Sequence, residues 1–273
     1  MPAPSDLLRL GYWPYRHLLG DIPSPIRRAD EYENADVLNI ACTQTGLPAS
    51  QQRRIVDDWT RRLPSVPART VVFSSKVSQD LFDAACAAPH LEALSIKWSS
   101  CISLGELKRT RNLQALFLGS SPEISDLRPL SGLTNLQHLF MENVRAPVDL
   151  SSIRPLCNLR EFGLSAARGH RMKVLTLEPL SALQSLEVIW LVSLTFQDDG
   201  LYPLHKLQSL KSLRTTIRST SPELKDLCAA VPSLEFFGSS GFRVGHLGSE
   251  WVGLTRARTA KPPHYQAQAS RVA

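Results

Sequence analysis

Seven histidines, five cysteines and 25 acidic residues are available for chemistry in this chain, and their spacing supports none of the common reactions. A serine hydrolase needs its nucleophile on a strained Gly-x-Ser-x-Gly turn. A nucleotide enzyme needs a glycine-rich phosphate cradle, and a zinc protease needs two histidines on one helix face. None of these patterns occurs. The histidines are dispersed, and only His138 is expected to stand near a carboxylate, that of Glu161. A histidine beside a glutamate is ordinarily a surface pair rather than an acid–base dyad. Cys157 precedes an asparagine at a turn between structural units, where a small buried residue is expected and a nucleophile is not. Cys42, Cys86, Cys101, Cys157 and Cys228 are odd in number, widely spread and form no Cys-x-x-Cys pair, which argues against a disulfide framework and against zinc. The expectation is a chain with no catalytic residues, no metal, no cofactor and no small-molecule substrate.

The elements that position these residues are set by an internal repeat. A frame of apolar-x-x-apolar-x-apolar begins at Leu91, Leu94 and Ile96. It recurs at Leu113/Leu116/Leu118, Leu136/Leu139/Met141, Leu159/Phe162/Leu164, Leu186/Ile189/Leu191 and Leu210/Leu213/Thr215, and ends at Leu234 and Phe237. The steps are 22, 23, 23, 27, 24 and 24 residues, a regularity that defines a stacked array. The last two frame positions of each unit alternate with period two, as in a short strand with one face buried. Between strands, apolar residues recur every third position: Leu150/Ile153/Leu156, Leu177/Leu180/Leu183, Leu201/Leu204/Leu207. Pro129, Pro155, Pro179 and Pro203 fall at one equivalent place. That pattern suits a short 3-10 or irregular return rather than a long α-helix.

These residues, above all the run ISDLRPLSGLTNLQHL at positions 124–139, resemble the leucine-rich-repeat family in its short bacterial, internalin-like form. The resemblance spans about 150 residues, from Leu91 to about Ser240. It implies an α/β solenoid: a curved array with parallel strands on the concave face and short 3-10 or irregular turns on the convex face. One departure stands out. The family's asparagine three positions past the last strand leucine is replaced here by Ser99, Ser121, Val144, Ala167, Leu194 and Arg218.

Residues 35–90 read as N-terminal capping units, each a strand and a helix. Strands are predicted at 37–40 and 71–73. Helices are predicted at 50–63, with Ile55, Trp59 and Leu63 on one face, and at 79–88, with Ser78 as N-cap. Residues 1–34 form a proline-rich extension carrying Tyr12-Trp13-Pro14-Tyr15, read as a packing anchor. Repeats with a C-terminal cap occupy 91–254, Trp251 and Leu254 closing the core, and 255–273 is a basic tail expected to be flexible.

On the concave face the residues between frame positions should point to solvent. Three columns follow. The first is Ala93, Ala115, His138, Glu161, Val188, Ser212, Phe236. The second is Ser95, Phe117, Phe140, Gly163, Trp190, Arg214, Gly238. The third is Lys97, Gly119, Glu142, Ser165, Val192, Thr216, Ser240. Phe117, Phe140, Val188, Trp190 and Val192 are apolar where solvation alone would select polar residues. Such a cluster marks a contact surface. Arg160, Lys211 and Arg214, with Glu142 and Glu161, give it a mixed-charge rim that suits a protein better than a phosphate backbone. Phe140 and Trp190 are predicted exposed, with a cover by the N-terminal segment or the tail, or a scatter of ordinary exposed apolar residues, as the bland alternatives. The 27-residue unit holds four or five extra residues near 165–174, with Arg168, His170, Arg171 and Lys173. These are expected to protrude at the rim beside Trp190, with tolerated loop length as the ordinary reading and contact with the partner as the sharper one.

Charge and targeting bound the setting. Of the formal net charge of +6, four units come from the tail, where Arg256, Arg258, Lys261 and Arg271 meet no acidic residue. No concave column is uniformly basic, which argues against nucleic acid as partner. No signal segment and no run long enough for a membrane span is visible. The expectation is a cytoplasmic, non-catalytic protein-binding module whose partner is another protein. The resemblance offers an immunity protein that neutralises a toxin, with a secreted host-directed effector or an intracellular scaffold or adaptor as alternatives.

Overall fold

The computed structural model describes residues 22–234, apart from 199, 219, 220 and 233, and beyond them the backbone of five short strands. Tyr12-Trp13-Pro14-Tyr15, Leu254 and residues 257–273 lie outside the described residues, as does the side chain of Trp251.

Strands β1 (Val37–Ile40), β2 (Thr70–Phe73), β3 (Ala93–Trp98), β4 (Ala115–Ser120), β5 (His138–Glu142) and β6 (Glu161–Ser165) follow one another in one parallel sheet. A side strand, β7 (Met172–Val174), leaves it; β8 (Val188–Val192) rejoins, β9 (Leu194–Phe196) leaves, and β10 (Ser212–Thr215) and β11 (Glu235–Gly238) complete the parallel run. β12 (Phe242–Val244) and β15 (Thr255–Arg256) extend the sheet antiparallel, and β13 (His246–Leu247) pairs with β14 (Glu250–Trp251). Each strand thus pairs with the next unit's strand, the nearest-neighbour stacking of a solenoid. The architecture is that of a leucine-rich-repeat solenoid.

The frame residues make the core. Leu94, Leu116, Leu139, Phe162, Ile189 and Leu213 lie opposite one another in register, and all are buried. Removing a leucine side chain from water contributes about 1.5–3 kcal/mol, and the stacked rows leave no unit able to bury its own face alone. The convex returns are 3-10 turns at Gly105–Arg109, Arg128–Gly132, Ser151–Ile153, Glu178–Ala182 and Tyr202–Lys206. Pro129, Pro179 and Pro203 sit in the first turn of theirs, where the missing N–H costs nothing.

Before the repeats, β1 and β2 are each followed by a helix. Helix α1 (Ala49–Arg62) buries Trp59, whose indole N–H donates to the Arg27 carbonyl at 2.9 Å. Helix α2 (Gln79–Cys86) is capped by the Ser78 hydroxyl, which accepts from the Leu81 N–H. A third helix, α3 (Pro222–Ala230), replaces the 3-10 return in the last unit. With it comes a shift of register: Phe236 lies opposite Leu213 and Phe237 opposite Arg214. The frame expected on Leu234 and Phe237 is therefore displaced by one, because a helical return uses a different number of residues per length than a 3-10 return.

The absent asparagine column is replaced in two ways. In the first units the Ser99 and Ser121 hydroxyls bond each other at 2.9 Å, and Ser121 donates to the Gly119 carbonyl. A different asparagine column lies just before the frame leucines: Asn135 Nδ2 donates to the Arg111 carbonyl and Asn158 Nδ2 to the Thr134 carbonyl, both at 2.9 Å. Each ties one unit to its predecessor.

Candidate protein-binding surface

The ladder register fixes what shares the concave face. Asn39, Val72, Ser95, Phe117, Phe140, Gly163, Trp190 and Arg214 stand opposite one another across eight strands. Beside them run Thr70, Ala93, Ala115, His138, Glu161, Val188 and Ser212. Val72, Ala93, Ala115, Phe117, Phe140, Val188 and Trp190 form an apolar cluster separate from the main core, and Ile22 packs against it.

Of the five apolar residues expected here, Phe117, Phe140, Val188 and Trp190 belong to the cluster and Val192 does not, and the four are not exposed. Phe117, Phe140, Val188 and Trp190 retain 2, 8, 2 and 6 % of their accessible surface. Two local causes are visible. Gly163 has no side chain, and the Phe140 ring lies across the vacancy, so that a Cβ built there would overlap the ring. On the far side the Arg214 guanidinium stacks over the Trp190 indole, 4.6 Å from its centroid, a cation–π contact. Phe117, Phe140, Glu161 and Arg214 all have partners within the folded chain. The expectation of exposed aromatics is thus corrected.

Towards the rim, Glu142 and Val192 are half-buried, and burial holds the Glu142 carboxyl above the usual glutamate range. His138 Nδ1 lies 3.6 Å from Glu161 Oε2, beyond hydrogen-bond reach, and makes no hydrogen bond. Ser212 Oγ is also buried without one. The positions just before each strand form an in-register edge: Arg69, Glu92, Gln114, Gln137, Arg160, Glu187, Lys211. Arg69 pairs with Glu92 at 3.1 Å, while Glu187 is shared by Arg160 at 3.9 Å and Lys211 at 2.7 Å. Arg160 and Lys211 therefore already have local counter-charges. With Asn112, Asn135 and Asn158 the middle of this edge lines a shallow polar groove. Sequence reasoning passed over that groove, although the 23-residue spacing of the asparagines signals it.

The insertion is more ordered than a tolerated loop. Met172–Val174 pairs in parallel with Leu194–Phe196, and Val148 bridges to Val174, so three successive units join in a side ladder. It lies past the end of the strand that carries Trp190, not beside the indole. Arg168, His170, Arg171 and Lys173 are all exposed, around a turn with Gly169 at φ +80°, a conformation glycine adopts without strain. Among the described residues none of these cations is in an ion pair.

Cys157 is exposed rather than buried, since the turn before Asn158 faces solvent. Burial raises the thiols of Cys42, Cys101 and Cys228 to about 11, and that of Cys86 further still, so these four are poor nucleophiles. Among the described residues no group of His, Cys, Asp or Glu is arranged to hold a metal, and no helix is long and apolar enough to cross a membrane.

No protein-family model matches the chain, and no curated protein does. Several solved structures are similar in fold. Internalin C2 of Listeria monocytogenes shares 19 % identity over 65 % of this chain and 73 % of its own, with a TM-score of 0.49. Internalin F of the same organism shares 16 % over 87 % and 78 %, with a TM-score of 0.46. A leucine-rich-repeat protein of Leptospira interrogans shares 16 % over 80 % of this chain and 58 % of its own, with a TM-score of 0.49.

Proposed function

We propose that this chain is a non-catalytic module that binds another protein across its concave side, with Arg168, His170, Arg171 and Lys173 gripping an acidic part of the partner. The apolar cluster of Val72, Phe117, Phe140, Val188 and Trp190, separate from the core on a sheet face, is the observation that carries it. Aromatic anchors inside a polar rim are the composition of interface centres. Glu142, Glu161, His138, Val192 and Arg214 line the approach; Arg160 and Lys211, held by Glu187, serve the edge more than the partner. A cognate toxin kept inactive by this contact is the partner class we place first, because an apolar centre with a mixed-charge rim suits a protein held in a lasting complex.

Binding is tested by affinity capture from the native cell with wild type and two variants, Arg168→Glu/Arg171→Glu at exposed positions and Glu142→Arg/Val192→Arg at half-buried ones. The expected result is one protein recovered in near-equal amount by wild type and lost from both variants. Equal recovery by all three would remove these surfaces from consideration. Expression of the captured protein alone should arrest growth, and co-expression of this chain should restore it. A captured protein harmless to the cell would exclude the toxin and leave a host target or an adaptor's client.

A further inference from the structure

Resting on the reading that Arg168, His170, Arg171 and Lys173 grip an acidic part of the partner, we infer that this part is an extended segment, held as one more parallel strand on the free edge of β9. Val148, β7 and β9 form a parallel ladder of their own beside the main sheet. In it the Ser193 carbonyl accepts from the Met172 N–H at 3.0 Å, and the Gln197 N–H donates to the Val174 carbonyl at 3.1 Å. Alternate residues of a strand point their backbone groups to opposite edges, so Ser193, Thr195 and Gln197 face β7 while Leu194 and Phe196 face away. Among the described residues nothing bonds the N–H or C=O of either. The next unit does not continue the ladder. Its chain turns at Arg218, whose carbonyl accepts from the Ser221 N–H at 2.9 Å, and enters α3. Two donors and two acceptors in strand register are thus left for an added chain. β9 itself carries no proline and no charged residue to guard that edge.

The side chains beside the edge specify the occupant. Met172 and Val174 are buried, Leu194 and Phe196 pack half-buried against the main core, and Arg171 and Lys173 are exposed. One face of the ladder is therefore apolar and the other basic, with Lys173 opposite Thr195. An added strand lies two strand spacings from β7, about 10 Å, a gap that a lysine and a glutamate side chain close between them. Its apolar residues complete the cover of Leu194 and Phe196. Its acidic residues stand beside Arg171 and Lys173, where the ladder begins. Past the end of β9, Asp198 is exposed, so the acidic residues belong at the first positions of the segment and not at the last. The occupant is a segment of another protein that alternates acidic with apolar residues and ends without charge.

The test uses the full chain and synthetic peptides, so its result is separate from that of the capture experiment. Amide exchange of the free chain comes first: Thr195 and Gln197 should exchange slowly, Leu194 and Phe196 fast. Slow exchange at Leu194 and Phe196, or protection there that grows with protein concentration, would show the edge covered by this chain or a second copy and overturn the inference. The peptide Glu-Val-Glu-Val-Thr-Val is then added to millimolar concentration and the backbone amides are followed by nuclear magnetic resonance. Expected are shifts confined to the side ladder, with exchange slowed at Leu194 and Phe196. Methylating the backbone nitrogens of the peptide's second glutamate and its threonine, which face β9, should weaken binding about tenfold or more. Methylating those of its first two valines, which face away, should not; equal losses overturn the inference. Arg171→Glu/Lys173→Glu should release this peptide and take up Lys-Val-Lys-Val-Thr-Val instead. A wild type that binds both peptides alike, or neither, contradicts the inference even where capture of a native partner succeeds.

Discussion

The Phe140–Gly163–Trp190 row is open to a quantitative test. In Gly163→Ala the added methyl meets the Phe140 ring, and even Phe140 Cγ, the most distant of the three ring atoms it meets, is 3.0 Å from that Cβ. Gly163 lies within β6, where alanine is an acceptable backbone residue, so the ring is the main obstacle. Overpacking of this kind costs about 1–3 kcal/mol. Phe140→Ala alone removes a buried aromatic from a face with its own packed cluster, a loss of about 3–5 kcal/mol. Independent effects would give roughly 4–8 kcal/mol in the double variant. In that variant, however, the methyl occupies space vacated by the ring, so the steric part of its cost disappears. The double variant should be little worse than Phe140→Ala, a coupling of about 1–3 kcal/mol in its favour. Urea titrations of the four proteins, followed by far-ultraviolet circular dichroism, supply the free energies. Additivity within about 0.5 kcal/mol would refute the stacking of ring on glycine.

Other outcomes follow from the same geometry. Gly119→Ala places its methyl against the Lys97 carbonyl oxygen, part of the neighbouring backbone; a loss of about 3 kcal/mol or more is expected, and an unchanged melting temperature would show that β3 and β4 are farther apart. The Glu142 carboxyl is raised by burial, so its stabilising share is present at acid pH and is lost as pH rises through its folded value. Glu142→Gln should therefore be more stable than wild type at neutral pH, with the gap closing below the usual glutamate range; a constant gap would mean no desolvation. A thiol reagent at mildly alkaline pH should label Cys157 in the native chain and all five cysteines only after unfolding. Fast native labelling of Cys42 or Cys101 would contradict their burial. Asn158→Ala should cost about 1 kcal/mol through the lost bond to the Thr134 carbonyl, read as a lower denaturation midpoint.

The repeat was legible because a solenoid writes its geometry into residue spacing: every frame leucine from Leu91 to Leu210 sits where the period puts it. Legibility ended where the return changed type. Once α3 replaces a 3-10 turn, counting from Leu210 no longer predicts register, and the last frame slips by one. The concave cluster was legible as a set of positions, since period two assigns each residue to a face. What lies above a face is not encoded in that period, so Phe140 and Trp190 were expected in solvent and are buried. The side ladder was hidden for a related reason, because strands of three residues such as Met172–Val174 carry too few alternations to stand out from a loop.

The charge order along the strand-entry edge also bears on how such a chain could lose or gain units over evolutionary time. Glu187 separates Arg160 from Lys211. Excision of the 27-residue stretch 161–187 would leave the leucine period almost intact and the core able to close. It would also bring Arg160 and Lys211 into adjacent register as like charges, and set the Phe140 ring directly against Trp190 with no glycine to receive it. The units therefore share one core but are not interchangeable. A deletion that the core tolerates is opposed twice on the concave side, once by like charges and once by two rings without room for both.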